Sequence, residues 1–205
     1  GVLFLDELPE FHRDVLESLR EPLESGRVTI SRSRGSLTLP ARFMLLAAMN
    51  PCPCGYYGDA RRDCSCGAHE IMRYKKKISG PILDRIDLQV AVPHVELKDL
   101  SDRKKSVGGI DTKTARETVT RVRSTQYARQ GALNSALSSK QVSLGVALDA
   151  EAKQFFEKIW KAAVLSARGY YRVLKVAQTI ADIESASTVS AAHVAEAFTY
   201  RLRDK

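Results

Sequence analysis

The chain opens on a short apolar run, Gly1 to Leu5, closed by the acids Asp6 and Glu7. Such a run predicts a strand buried on both faces of a parallel sheet. Phe11, Val15, Leu19 and Leu23 then recur every four residues, which predicts one apolar face of a helix ending near Gly26. Pro22 falls in the last turn of that helix, where its missing N–H and its ring should kink or break it. Val28 to Ile30 and Leu37 to Leu39 alternate on either side of Ser31-Arg32-Ser33-Arg34-Gly35, the pattern of a β-hairpin. Phe43 to Met49 predicts a second buried strand, stopped by Asn50-Pro51, and Leu88 to Val92 a third.

Polar Lys98 to Lys113, with Gly108-Gly109 inside it, marks a boundary. The expected division is a first domain over 1–98, a linker over 99–112 and a helical domain over 113–205. Helices are predicted near 112–130, 149–163, 167–184 and 190–202, with Ser166 and Ser190 as N-caps. The fold class is therefore α/β, a partial parallel-sheet core with a hairpin insertion followed by a helical subdomain. An opening at Gly1-Val2, with no methionine and no lead-in, reads as a chain cut from something longer.

Composition adds a partner class. The 205 residues are 44% hydrophobic and 27% charged, ordinary for a globular chain, with a formal charge of +8. The excess is uneven: residues 1–100 hold 14 Lys/Arg against 14 Asp/Glu, and residues 101–205 hold 18 against 10. Residues 103–140 alone hold nine Lys/Arg and two Asp/Glu, including Arg116, Arg121, Arg123 and Arg129 on one predicted helix. Such clustering reads either as a solvated surface or as a face that attracts a polyanion such as DNA. There is no apolar run of about 18 residues and no charged segment leading into an apolar one, so neither a membrane span nor a secretory signal is expected. A cytoplasmic location is the expectation.

Four groups carry candidate chemistry. Asp6 and Glu7, at the carboxyl end of a strand, can hold Mg²⁺ through water and orient an attacking water, although an acid pair there also serves as a solvated loop. Asn50 ends the next apolar strand and in a parallel sheet would lie beside them, where an amide can position water against a phosphate; Asn-Pro is equally a simple turn. Arg85, between Asp84 and Asp87, is either a surface ion pair or a guanidinium that reaches a neighbouring subunit's nucleotide. Cys52, Cys54, Cys64 and Cys66 form a C-x-C…C-x-C set, which in a reducing compartment reads as a tetrahedral Zn²⁺ site or as free thiols, with His69 able to replace one sulfur.

Leu5-Asp6-Glu7, the helix and hairpin after it, Ala47-Ala48-Met49-Asn50-Pro51-Cys52-Pro53-Cys54-Gly55 and Gly80-Pro81-Ile82-Leu83-Asp84-Arg85-Ile86-Asp87 together resemble the ComM branch of the magnesium-chelatase-like AAA+ ATPases. The resemblance is strong over residues 1 to about 95 and weaker beyond. It implies that Asp6 and Glu7 are the Walker B acids, Asn50 sensor 1 and Arg85 an arginine finger. Leu165-Ser166-Ala167-Arg168 is similar to the start of the family's lid helix, which implies sensor 2 at Arg168, with Arg172 one turn later as the alternative. The hairpin stands where this group carries a pore hairpin, so Arg32 and Arg34 at its tip are the expected DNA contacts.

One departure matters. The sequence holds no G-x-x-x-x-G-K-[ST]; Gly108-Gly109-Ile110-Asp111-Thr112-Lys113-Thr114 lacks a glycine immediately before its lysine. The resemblance places that phosphate cradle upstream of Gly1, so the chain alone is expected to be inactive. The full protein is expected to be a hexameric ATP- and Mg²⁺-dependent motor of the helicase or branch-migration type. The rival readings are a magnesium chelatase ATPase subunit and a non-enzymatic zinc-dependent DNA-binding module.

Overall fold

A computed structural model describes residues 1–33, 35–93, 109–162 and 165–201. The described chain separates into two compact units, Gly1–Ile86 and Asp87–Lys205. The fold class is the mixed one expected, parallel strands with a hairpin followed by helices.

In the first unit, β1 (Val2–Leu5) runs parallel to β4 (Met44–Ala47), with Val2 opposite Met44 and Leu5 opposite Ala47. Contrary to expectation, the pair is not buried on both faces: Val2 is 61% and Phe4 56% exposed. The alternating residues of a two-stranded sheet need a covering layer on each side, and among the described residues only the Leu5 and Ala47 side has one. There, Leu8, Leu16, Ile78 and Ile82 form a small buried cluster.

The predicted helix over residues 11–26 is broken into α1 (Arg13–Ser18) and α2 (Arg20–Ser25), joined at Leu19. Pro22 has no N–H to give to the carbonyl four residues back, Ser18, so the break falls a turn before the proline. The buried face also differs from the expected one. Leu16 is fully buried, whereas Phe11 and Val15 are exposed. Gly26, in the left-handed conformation, caps α2 through its N–H to the Pro22 carbonyl.

β2 (Arg27–Arg32) and β3 (Gly35–Pro40) form the hairpin. Thr29 faces Thr38 and Ser31 faces Ser36, each pair within hydroxyl contact at 3.4 and 3.3 Å. Nearly every residue of this ribbon is exposed. After it come α3 (Ala68–Lys75) and the short α4 (Gly80–Leu83). The strand expected over Leu88 to Val92 is absent; the Gln89 N–H instead donates to the Tyr200 carbonyl at 2.8 Å.

The second unit is helical: α5 (Thr112–Gln130), α6 (Ser139–Gly145), α7 (Ala150–Lys161), α8 (Ala167–Ile183) and α9 (Ala191–Thr199). Ser166 and Ser190 are the N-caps, accepting from Gly169 and His193 N–H. α8 is the central helix, burying Val173, Leu174, Ala177, Ile180 and Ala181, a spacing of 0, 1, 4, 7 and 8 that forms one continuous stripe. Phe156 and Ala152 from α7 and Val194 and Ala197 from α9 pack in the same core.

Candidate functional site

The pairing of β1 with β4 continues past both strands. Ala48 N–H donates to the Leu5 carbonyl at 2.9 Å and Leu8 N–H to the Ala48 carbonyl at 3.0 Å. The carboxyl ends of the strands are thereby tied together, and Asp6, Glu7 and Asn50 leave the sheet at that shared end, all exposed. Glu7 sits in the left-handed region at φ 50°, ψ 46°, a conformation that raises the energy of a non-glycine residue by about 1–2 kcal/mol. The Asp6 carboxylate accepts the Glu7 N–H at 2.9 Å and holds this bend. Tyr74 is buried on α3, and burial, with the Glu10 charge nearby, pushes its phenol up against the lowering effect of the Asn50 backbone.

Arg85 follows α4 directly. Its side chain is only 7% exposed, and its guanidinium is ion-paired to Glu24 on α2 and donates to the Pro81 carbonyl at 2.7 Å. Its Nε is buried without a partner. Glu24, 61 residues away in sequence, carries no local signal that would have named it. Asp87 is engaged elsewhere, paired to Arg172 in the second unit. Arg168 lies exposed in the first turn of α8, and Arg172 one turn further along the same helix. Lys175, a turn beyond Arg172, donates to the Ser135 carbonyl at 3.1 Å, and burial lowers its ammonium pKa against the raising effect of Asp87.

The four cysteines converge. Cys52 Sγ lies 3.4 Å from Cys54 Sγ and 3.7 Å from Cys64 Sγ, Cys54 lies 3.5 Å from Cys64, and all four sulfurs fall within 4.8 Å of one another. A tetrahedron of Zn–S bonds of about 2.3 Å has sulfur–sulfur edges of about 3.8 Å, so the set has the size such an ion needs. A disulfide would require about 2.05 Å, and all four are free thiols. His69 is not among the converging groups. The Tyr56 backbone N–H pulls the Cys54 thiol down to about 5, whereas desolvation and the neighbouring sulfurs push Cys66 up to about 12. The Cys66 backbone pulls Cys64 down, but desolvation and the adjoining sulfurs outweigh it. Ionising all four together would need a cation among them to offset their mutual repulsion.

Of the predicted DNA contacts, Arg32 ends β2, exposed and paired across to Gly35; Arg34 lies outside the described residues. The basic helix is only partly free to meet a polyanion. Arg121 donates to the Asp182 and Ile183 carbonyls and to Ser185, and Arg129 grips the Asp182 carboxylate at 2.5 and 2.9 Å. Arg116 and Arg123 remain exposed. Among the described residues, no helix is long and apolar enough to cross a membrane.

Residues 1–100 match the family model described as magnesium chelatase, subunit ChlI, and residues 109–201 match the one for its C-terminal part. The chain is 44% identical over 204 residues to competence protein ComM of Haemophilus influenzae, covering 98% of this chain and 39% of the relative. It is 43% identical over 206 residues to the uncharacterized protein YifB of Escherichia coli K12, covering 100% of this chain and 40% of that relative. An uncharacterized protein of Mycobacterium bovis is 34% identical over 205 residues, 98% of this chain and 40% of its own length. The chain thus spans about two fifths of the length of these curated relatives. With both parts of the family represented in order along it, the chain belongs to the magnesium chelatase subunit ChlI family, on the branch of ComM and YifB.

Proposed function

We propose that this chain supplies the catalytic and lid parts of an ATP-hydrolysing AAA+ ring motor, hexameric when full-length, that works on DNA in the cytoplasm. The observation that carries the reading is the exit of Asp6, Glu7 and Asn50 at the shared carboxyl end of two hydrogen-bonded parallel strands. Their oxygen donors are the hard ligands that magnesium takes, and the strained backbone at Glu7 is the kind a fold keeps where a side chain must be aimed. When bound, ATP with Mg²⁺ supplies the phosphoryl group that is transferred to water. Asp6 is the residue to hold the ion through water, Glu7 to orient the attacking water and Asn50 to position it.

Arg85 is the finger in this reading. Since its guanidinium rests on Glu24 within its own chain, it must leave that carboxylate to act on a neighbour's nucleotide. Arg168 at the start of α8, with Arg172 as the alternative, senses the phosphates from the lid. Arg32 on the exposed hairpin contacts DNA, together with Arg34 two residues on in the sequence, helped by the excess of basic residues in the second half. Cys52, Cys54, Cys64 and Cys66 hold structural zinc, since four sulfurs close its coordination and leave no position for substrate.

A second reading, a magnesium chelatase ATPase subunit, is favoured by the description of the family model. The two separate on the client. The test is ATP turnover by the full-length protein, with and without DNA. DNA-stimulated turnover that is lost in Glu7→Gln supports the motor; turnover indifferent to DNA and responsive to a porphyrin substrate refutes it in favour of the chelatase.

A further inference from the structure

The cysteine loop carries a tyrosine pair, each ring with a cation near it, Arg62 from the same loop and Lys75 from α3. In Gly55-Tyr56-Tyr57-Gly58 both glycines have positive φ, 85° and 83°, conformations that L side chains rarely adopt, and they turn the chain sharply on either side of the tyrosine pair. The Tyr57 N–H donates to Cys52 Sγ at 3.3 Å, so the backbone bearing its ring is fixed directly on the sulfur cluster. Tyr57 is 48% exposed, with the Lys75 ammonium 5.2 Å from its ring centroid. Next to it the Arg62 guanidinium lies 4.1 Å over the Tyr56 ring and donates to the Tyr56 hydroxyl at 2.8 Å. The Arg62 backbone is pinned in turn, its N–H and that of Arg61 both donating to the Asp59 carboxylate.

Two flat aromatic faces, each with a cation against it, form on an anchored loop a surface suited to unpaired bases and the phosphates between them. Bases stack on rings whatever their sequence, and the cations follow the backbone. A duplex hides its base faces and would meet only the charges. We infer that the metal-held loop of residues 52–66 is a second nucleic-acid contact, separate from the hairpin, that binds single-stranded DNA by stacking on Tyr57 with Tyr56 beside it, and that the metal is needed to present it. This rests on reading the client as DNA and the cysteines as a metal site.

The test is binding of a fluorescent poly-dT oligonucleotide and of a duplex of equal length to the full-length protein, with zinc content measured on each sample. Tyr57→Ala should keep its zinc and its duplex affinity but lose about fivefold or more in single-strand affinity, the equivalent of one stacked base. Tyr57→Phe, which keeps the ring, should bind as the parent does. Removing the metal from the parent protein should give a loss at least as large as Tyr57→Ala. Unchanged single-strand binding by zinc-loaded Tyr57→Ala, or an equal loss on duplex, overturns the inference while leaving the DNA reading intact. A parent protein that binds neither DNA defeats both readings. A zinc-free parent that binds single strands at full strength removes the metal from the inference and overturns it in the form stated.

Discussion

Asp182→Ala should destabilise the helical unit more than any surface substitution. The Asp182 side chain is only 1% exposed and accepts five hydrogen bonds: one each from Gln126, Asn134 and Gln178 and two from Arg129. Removing it leaves Gln126 and Gln178 side-chain amides buried without that acceptor, while Asn134 keeps Thr179 and Arg129 keeps Asn134. Breaking a buried ion pair costs about 3–5 kcal/mol, and because the Arg129 side chain is 33% exposed and water can reach it, the lower end applies. At about 4 °C per kcal/mol for a unit of about 120 residues, the thermal midpoint should fall by about 12 °C. Far-UV circular dichroism of the 205-residue chain follows it, since most of the helix lies in this unit. Burial alone would raise the Asp182 carboxyl, but the hydrogen bonds from Arg129, Asn134 and Gln178 and the Arg129 charge outweigh it and hold it below its usual range. A carboxyl lowered on folding contributes stability that is fully present above its unfolded pKa of about 3.9 and is lost as pH falls through the folded value. The gap between parent and variant should therefore be constant near neutrality and close as the solution is acidified below about pH 4. A midpoint shift under about 4 °C, or a gap that widens in acid, would refute this account of the network.

Purified residues 1–205 should show no tight ATP binding by calorimetry, because the sequence holds no glycine-rich cradle ending in Lys-Ser or Lys-Thr; micromolar affinity would overturn that. Protein prepared without chelator should carry about one zinc per chain, and its absence, with all four thiols freely alkylated in the folded state, would refute the metal site. In the full-length protein, Arg32→Ala with Arg34→Ala should weaken binding across DNA sequences and flatten the salt dependence by up to about two charges; an unchanged slope would return both residues to keeping a hairpin soluble.

Local chemistry made much of this fold legible. Alternation gave the hairpin, and serines before apolar stripes gave the starts of α8 and α9. A readable signal was missed at α6, where Ser138 and Gln141 form a reciprocal capping box. The four-residue apolar spacing from Phe11 to Leu23 misled because Phe11 precedes α1 and the chain breaks at Leu19, so the four do not share one helix, and the apolar run at Leu88 to Val92 because its Gln89 N–H bonds the Tyr200 carbonyl rather than a neighbouring strand. At the candidate site, motifs named Asp6, Glu7, Asn50 and the cysteines. The carboxylate that grips Arg85 and the acid that gathers Arg129, Gln126 and Asn134 depend on contacts tens of residues apart, which no short window carries.

The central claim is that Glu7 of one copy and Arg85 of another complete one ATP site. In the full-length protein, Glu7→Gln and Arg85→Ala should each abolish turnover, the loss of an arginine finger alone being worth about a thousandfold or more. Mixed under conditions where subunits exchange, the two variants form interfaces that pair an intact Glu7 with an intact Arg85. Partial recovery of ATPase activity on mixing is the predicted result. Confirmed exchange with no returning activity would contradict it, and would leave Arg85 as the internal partner of Glu24.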